Sequence, residues 1–246
     1  MSDLFDFNNV RVADNQSQPL SHRLRPQKLK DLIGQDHITS KTGPLNNIIK
    51  NNNLSSIILW GPPGTGKTSL LNISGLLDLP THGEVKIIDN NTRALSIEMR
   101  NNIRRKQIGF VFQSGNLINE FNAIENVALS RVIKGYNFSD SLGYAKKLLI
   151  NVGLKDRLYS RPLQLSGGEK QRIAICRAIA NDPKLLLADE PTGNLDKENS
   201  QLIFNLFIEM VKKKNVAALV ATHNLELIKK MDRVLILTKN GFKEMK

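Results

Sequence analysis

The stretch LSSIILWGPPGTGKTSLL, residues 54–71, joins a short apolar run to a glycine-rich turn and then to a segment suited to a helix. LSSIILW is bounded by Asn53 on one side and the GPPG turn on the other, so it reads as a buried parallel strand. Gly61, Pro62, Pro63, Gly64, Thr65, Gly66, Lys67 and Thr68 fit G-x-x-x-x-G-K-[ST], placed between strand and helix as a phosphate-binding loop requires. Glycines let backbone N–H groups wrap phosphates at the positive end of the helix. Lys67 is expected to reach the β- and γ-phosphates of a nucleotide and the Thr68 hydroxyl to take Mg²⁺, with Ser69 closing the nucleotide-binding run. The alternative is a tight Gly/Pro turn.

Working outward, four more apolar runs are strand-like: IGFVF at 108–112, LLLAD at 185–189, VAALVAT at 216–222 and VLILT at 234–238. Helix-length segments separate them, which predicts an α/β fold around a largely parallel sheet. Residues of about 114–165 carry no such run and read as a helical subdomain inserted into the sheet domain. The fold class is therefore α/β, a P-loop NTPase with a largely parallel central sheet and an inserted helical subdomain. Residues 1–20, rich in Asn, Asp and Gln, read as a mobile tail. Residues 21–53 read as a lead-in of short helical pieces broken by Gly34, Gly43 and Pro44, and 54–246 as the phosphate-loop domain.

Two further motifs carry chemistry. LLLADE, 185–190, is an apolar strand ending in two carboxylates, which in an open α/β sheet face the ligand crevice. Asp189 suits Mg²⁺, directly or through water, and Glu190 is placed to accept a proton from an attacking water. LSGGEKQR, 165–172, precedes an apolar helix, so Ser166, Gly167 and Gly168 present a hydroxyl and free N–H groups at its start. That is either a second anion site or a serine N-cap with a Gly-Gly loop.

Composition limits the remaining classes. The 246 residues are 40% hydrophobic and 24% charged, a soluble globular balance. No run approaches the roughly 18 consecutive apolar residues of a bilayer-spanning helix. The acidic start MSDLFDF is unlike a secretory signal. A single cysteine, Cys176, excludes an intramolecular disulfide framework and a cysteine zinc site and suits a reducing, cytoplasmic interior. Thirty-five Lys and Arg against 23 Asp and Glu leave a net charge of +12, which attracts polyanions without choosing among them. The basic residues are dispersed rather than gathered in one stripe.

With these motifs in order, the chain from about residue 61 resembles the nucleotide-binding subunit of ABC transporters. Gln113 in GFVFQ stands at the Q-loop position, LSGGE at the signature, GNLD, 193–196, at the D-loop, and His223 in ATHNLE at the switch histidine. ADEPTGNLD, LLDLPTHGEV and GFVFQSGNLINEFNAIENV further resemble the ATPases of the lipoprotein-releasing transporters. Macrolide-export and cell-division ATPases share much of that text. The resemblance implies ATP as substrate with Mg²⁺, a head-to-tail homodimer sandwiching ATP between one phosphate loop and the other copy's LSGGE, and integral membrane partners. It implies a peripheral protein on the cytoplasmic face of the inner membrane. It assigns Thr68, Gln113 and Asp189 to Mg²⁺ and Lys67 to the phosphates. Glu190 falls to water activation, His223 to the γ-phosphate and Asp196 to coupling across the dimer. For His223, a capping or core histidine is the alternative.

Upstream the text changes character. QPLSHRLRPQKLKDLIGQDHI and GPLNNIIKNNNLSSIILWGPPGTGKT, within about residues 1–69, resemble the AAA+ recombination factor A family, in which Arg25, Pro26 and Ile33 to Gln35 flank the adenine. The sensor and arginine-finger text of that family does not follow. An AAA+ DNA recombination or repair ATPase, or a poorly active hybrid, is the competing reading, and DNA is not an expected partner. Phe5, Phe7 and Trp60 are the aromatic residues before the loop, and Trp60 is expected in the core.

Overall fold

A computed structural model describes residues 56–62, 64–81, 85–87, 90–238 and 241–245. The tail at 1–20, the lead-in at 21–53, the residues expected to flank the adenine and Pro63 of the phosphate loop lie outside the described residues.

Each of the five strand-like runs is a strand. They are β1 (Ser56–Trp60), β4 (Ile108–Val111), β5 (Leu185–Asp189), β6 (Ala217–Thr222) and β7 (Arg233–Thr238), joined at the edge by β8 (Gly241–Met245). The sheet order is β4-β5-β6-β1-β7-β8, with β8 antiparallel to β7 and the other neighbours parallel. A two-residue hairpin, β2 (Lys86–Ile87) and β3 (Asn90–Asn91), stands apart from it. The helices are α1 (Lys67–Ser74), α2 (Ile97–Gln107), α3 (Ala123–Lys134), α4 (Phe138–Asn151), α5 (Gly167–Ile179) and α6 (Lys197–Lys214).

The central strands are apolar on both faces because both are covered. On one side Ile58, Leu186, Ala188 and Val220 join a core with residues of α3, α5 and α6, including Phe204 and Phe207. On the other, Ile57, Leu59, Leu187, Leu219 and Leu235 pack with Leu71 of α1. The period-two alternation of the strands sorts the two sets. Register brings the strand ends together, Trp60 opposite Thr222 and Asp189 opposite Ala221. The loops after β1, β5 and β6 therefore converge on one edge of the sheet.

Between Gln113 and Ser166 the described chain is α3, α4 and two 3-10 turns, Lys155–Arg157 and Pro162–Gln164, without a strand. Asn122 caps α3 in a capping box with Glu125. Fully buried Asn126 holds the preceding loop: its side-chain oxygen accepts from the Ile118 N–H at 2.8 Å, and its amide donates to the carbonyls of Ile118, Phe121 and Asn122.

α5 starts with a second capping box. Ser166 Oγ accepts from the Glu169 N–H at 3.3 Å, and Glu169 accepts from the Ser166 N–H at 2.7 Å and from Arg157 Nε at 3.0 Å. The Ser166 N–H, followed by Arg157, holds the Glu169 carboxyl below its ordinary value of 4.5. A carboxylate depressed on folding contributes stability that is present above that value and lost as pH falls through its folded-state pKa. The stability advantage of the wild-type chain over Glu169→Ala, read as a Tm difference, should therefore be full at neutral pH and shrink in acid below 4.5.

β4 lies hard against the end of α5: a Cβ at Gly109 would stand 2.3 Å from the Ala178 carbonyl oxygen. That neighbour is backbone and cannot swing away. Gly109→Ala should lower the unfolding free energy by about 1–3 kcal/mol, measured by urea titration.

Candidate functional site

The phosphate loop takes its shape from two glycines. Gly64 and Gly66 sit at φ 82° and 88°, left-handed values that a side chain would strain. The chain then enters α1 directly, with Lys67 its first residue. Lys67 is buried, and its ammonium donates to the carbonyls of Gly61 and Pro62. Thr65 Oγ1 also donates to the Pro62 carbonyl, at 2.9 Å. Burial pulls the Lys67 ammonium below its usual range, against the opposing pull of Glu190 and Asp189.

Across the cleft β5 ends in Asp189, and Glu190 follows it directly. Glu190 holds φ at 44°, an uncommon value for a residue with a side chain, and its backbone is tied on both sides. Its N–H donates to the Ala221 carbonyl at 2.8 Å and its carbonyl accepts from the Gly193 N–H at 3.0 Å. The Glu190 carboxylate accepts from Thr222 Oγ1 at 2.9 Å, meets His223 Nδ1 at 2.8 Å and faces Lys67 Nζ at 3.9 Å. The Asp189 carboxyl is pushed above its usual range by burial, with Thr68 donating to it in opposition.

Asp189 Oδ1 is buried without a hydrogen-bond partner. An orphaned carboxylate oxygen beside a threonine hydroxyl is a hard-oxygen donor set that fits Mg²⁺. No group of three or more His, Cys, Asp or Glu that could hold a metal occurs among the described residues. A cation here would therefore draw its remaining ligands from neutral side-chain oxygens, phosphate and water.

Gly64, Thr65, Gly66, Lys67, Thr68, Ser69, Gln113, Asp189, Glu190 and His223 line one cleft of about 470 Å³. Gly61 and Pro62 reach it through the carbonyls that hold Lys67. Ser166, Gly167, Gly168 and Asp196 lie elsewhere, in a second cleft of about 500 Å³ with Asn194 and Asn199. Ser166 is indeed an N-cap, but an oxygen that accepts from Glu169 keeps its own O–H free to donate, and the first N–H groups of α5 have no intrahelical acceptor. Asp196 caps α6, accepting from the N–H of Asn199 at 3.0 Å.

Gln113 and Asn194 bridge the clefts. Gln113 Nε2 donates to Asn194 Oδ1 at 3.0 Å, which leaves the Gln113 carbonyl oxygen as the end suited to a cation. His223 is neither core nor cap; its side chain is 57% exposed and joined to Glu190. Trp60 departs from the expected core position: it is half-buried, and its indole N–H donates to the His223 carbonyl at 3.1 Å. Thr222, Asn194 and Asn126 were not foreseen. The threonine ahead of the histidine was the one signal available, since a fully buried hydroxyl at a strand end needs a partner.

Comparisons with known proteins agree with this geometry. The ABC transporter family model matches residues 49–193, from ahead of the phosphate loop through both carboxylates. The lipoprotein-releasing system ATP-binding protein LolD of Nitrobacter hamburgensis is 50% identical over 186 residues, covering 76% of this chain and 80% of that protein. LolD 2 of Rhodopseudomonas palustris is 49% identical over 178 residues, covering 72% and 77%. The dimeric post-hydrolysis structure of the ATP-binding cassette MJ0796 with ADP and Pi is 36% identical, with a TM-score of 0.71, covering 78% of this chain and 85% of that one. The AAA+ reading of the function gives way to these matches. With its phosphate loop facing the paired carboxylates of β5, the chain belongs to the ABC transporter family, as an ATP-binding subunit whose ATP hydrolysis is coupled to transport and which is homologous to the LolD ATPases.

Proposed function

We propose that this ATPase powers a lipoprotein-releasing transporter from the cytoplasmic face of the inner membrane, as a peripheral homodimer bound to integral membrane subunits. The observation that carries the catalytic part is the Glu190 carboxylate held between Lys67 and His223 at the mouth of the phosphate loop. The identity with the LolD proteins supports the transported class. No helix among the described residues is long and apolar enough to cross a membrane, which agrees with separate membrane subunits.

In this reading the glycine-rich loop from Gly61 to Thr68, followed by Ser69, cradles the phosphates of ATP, and Lys67 turns its ammonium from the loop carbonyls to the β- and γ-phosphates. Thr68, Asp189 and the Gln113 carbonyl oxygen hold Mg²⁺. A cation held by these residues would supply charge neutralisation at the phosphate oxygens. Glu190 orients a water and accepts its proton, and His223 faces the γ-phosphate. Ser166, Gly167 and Gly168 of a second copy meet the same γ-phosphate from the other side, and Asp196 couples the two sites. The helical segment at about 114–165 acts as a subdomain that docks on the membrane subunits. The second cleft supports the dimer, because the phosphate loop and LSGGE, the two motifs read as anion sites, lie in separate clefts of one chain.

Lys67→Ala should abolish Mg²⁺-dependent ATP hydrolysis in a phosphate-release assay, since the phosphate charge is left uncompensated. Glu190→Gln should bind ATP yet turn over about 10²- to 10⁴-fold more slowly, the usual value of general-base catalysis. Wild-type turnover in Glu190→Gln would remove Glu190 from the mechanism. In sedimentation, ATP should drive the Glu190→Gln chain to a dimer, and adding Ser166→Arg should abolish that assembly by filling the second phosphate site with a bulky cation.

A further inference from the structure

Trp60 is the single tryptophan of the chain and joins the two halves of the phosphate cleft. Its backbone runs directly into Gly61, whose carbonyl accepts from the Lys67 ammonium. Its side chain reaches the other wall, donating from the indole N–H to the His223 carbonyl at 3.1 Å. Lys67 faces Glu190 at 3.9 Å, and Glu190 meets the His223 imidazole at 2.8 Å. Trp60, Gly61, Lys67, Glu190 and His223 thus form a closed ring of contacts around the cleft.

The position of His223 explains why that ring needs a donor. β6 ends at Thr222, the last residue paired with β1, so His223 lies beyond the ladder with its side chain more than half exposed. Its peptide is held on both sides instead. The His223 N–H approaches Glu190 Oε2 at 3.4 Å, and its carbonyl takes the indole N–H. A backbone carbonyl past the end of a strand needs a partner of this kind or water. Phe or Leu at position 60 could fill the same half-buried volume but has nothing to donate.

We propose that Trp60 is a positioning residue for hydrolysis: its indole N–H fixes the His223 peptide, and through it the imidazole that contacts Glu190. This rests on the roles proposed above for His223 and Glu190. The bond spans 163 residues of sequence, and Trp60 is not among the residues that line the cleft. Its loss should therefore act on turnover and leave ATP binding in place.

The test measures kcat and KM for ATP on the full chain in five forms: wild type, Trp60→Phe, replacement of Trp60 by 3-benzothienylalanine, His223→Ala, and the last two combined. The benzothienyl ring keeps the shape of the indole and exchanges N–H for sulfur, so it removes the donor even if Trp60→Phe fails to fold. Loss of one such hydrogen bond should lower kcat about three- to tenfold, with KM within about twofold. The Tm of the benzothienyl form should match the wild type. In a His223→Ala background the replacement at position 60 should cost nothing further, because the two changes break one linkage. Wild-type kcat in the benzothienyl form, or a loss that adds in full to that of His223→Ala, would overturn the assignment of Trp60. Undiminished turnover in His223→Ala itself would instead overturn the role of the histidine and everything resting on it.

Discussion

The Glu190 carboxylate, largely withdrawn from solvent and held at a strand end, is the constraint on which the site depends. Removing an ion from water costs several kcal/mol unless charge and hydrogen bonds replace the hydration. Thr222 and the His223 N–H supply that replacement from the end of β6, and Lys67 supplies it from the start of α1. The backbone at Glu190 carries its own cost, about 1–3 kcal/mol for a side-chain-bearing residue in the left-handed region. It persists because the Ala221 carbonyl and the Gly193 N–H fix the peptide on either side. Asp189, one residue earlier, is in the opposite condition, with an oxygen that has no partner and a carboxyl that burial pushes up. Two adjacent carboxylates thus acquire different chemistry from their surroundings, one satisfied by protein donors and one suited to a cation.

α5 carries this organisation away from the phosphate loop. Its start presents Ser166, Gly167 and Gly168 in the second cleft, while its later residues grip the chain on both sides of Gln113. Gln171 donates to the Phe112 carbonyl at 3.1 Å, and Arg177 donates to the carbonyls of Gly115 and Asn116 at 2.7 Å each. Asn126 ties the far end of the same loop to α3. The Gln113–Asn194 bond then links that loop to the segment leading into α6. One helix is thus fastened to the loop around Gln113 and, at its start, presents Ser166, Gly167 and Gly168 in the second cleft.

Much of this was legible in the sequence, for a definite reason. The phosphate loop, the acidic strand end and LSGGE are local patterns whose chemistry depends on spacing within a few residues, and each strand-like run kept its place because buried parallel strands must be apolar on both faces. What escaped notice depends on contacts between distant segments. Thr222 acquires its role from a carboxylate 32 residues earlier, and Asn194 from a glutamine 81 residues before it. Trp60 looked like core because its neighbours in β1 are core. Only the register of β1 against β6 brings its N–H to His223.

In the proposed dimer each chain holds halves of two different sites, and a second copy completes each. Mixing two disabled chains tests it directly. Lys67→Ala retains an intact LSGGE and Ser166→Arg an intact phosphate loop; each alone should be inactive, and a head-to-tail pair of one with the other contains one complete site. ATP hydrolysis measured across mixing ratios should rise from near zero to a maximum near equal proportions. A mixture that never exceeds the sum of its two components would contradict the account.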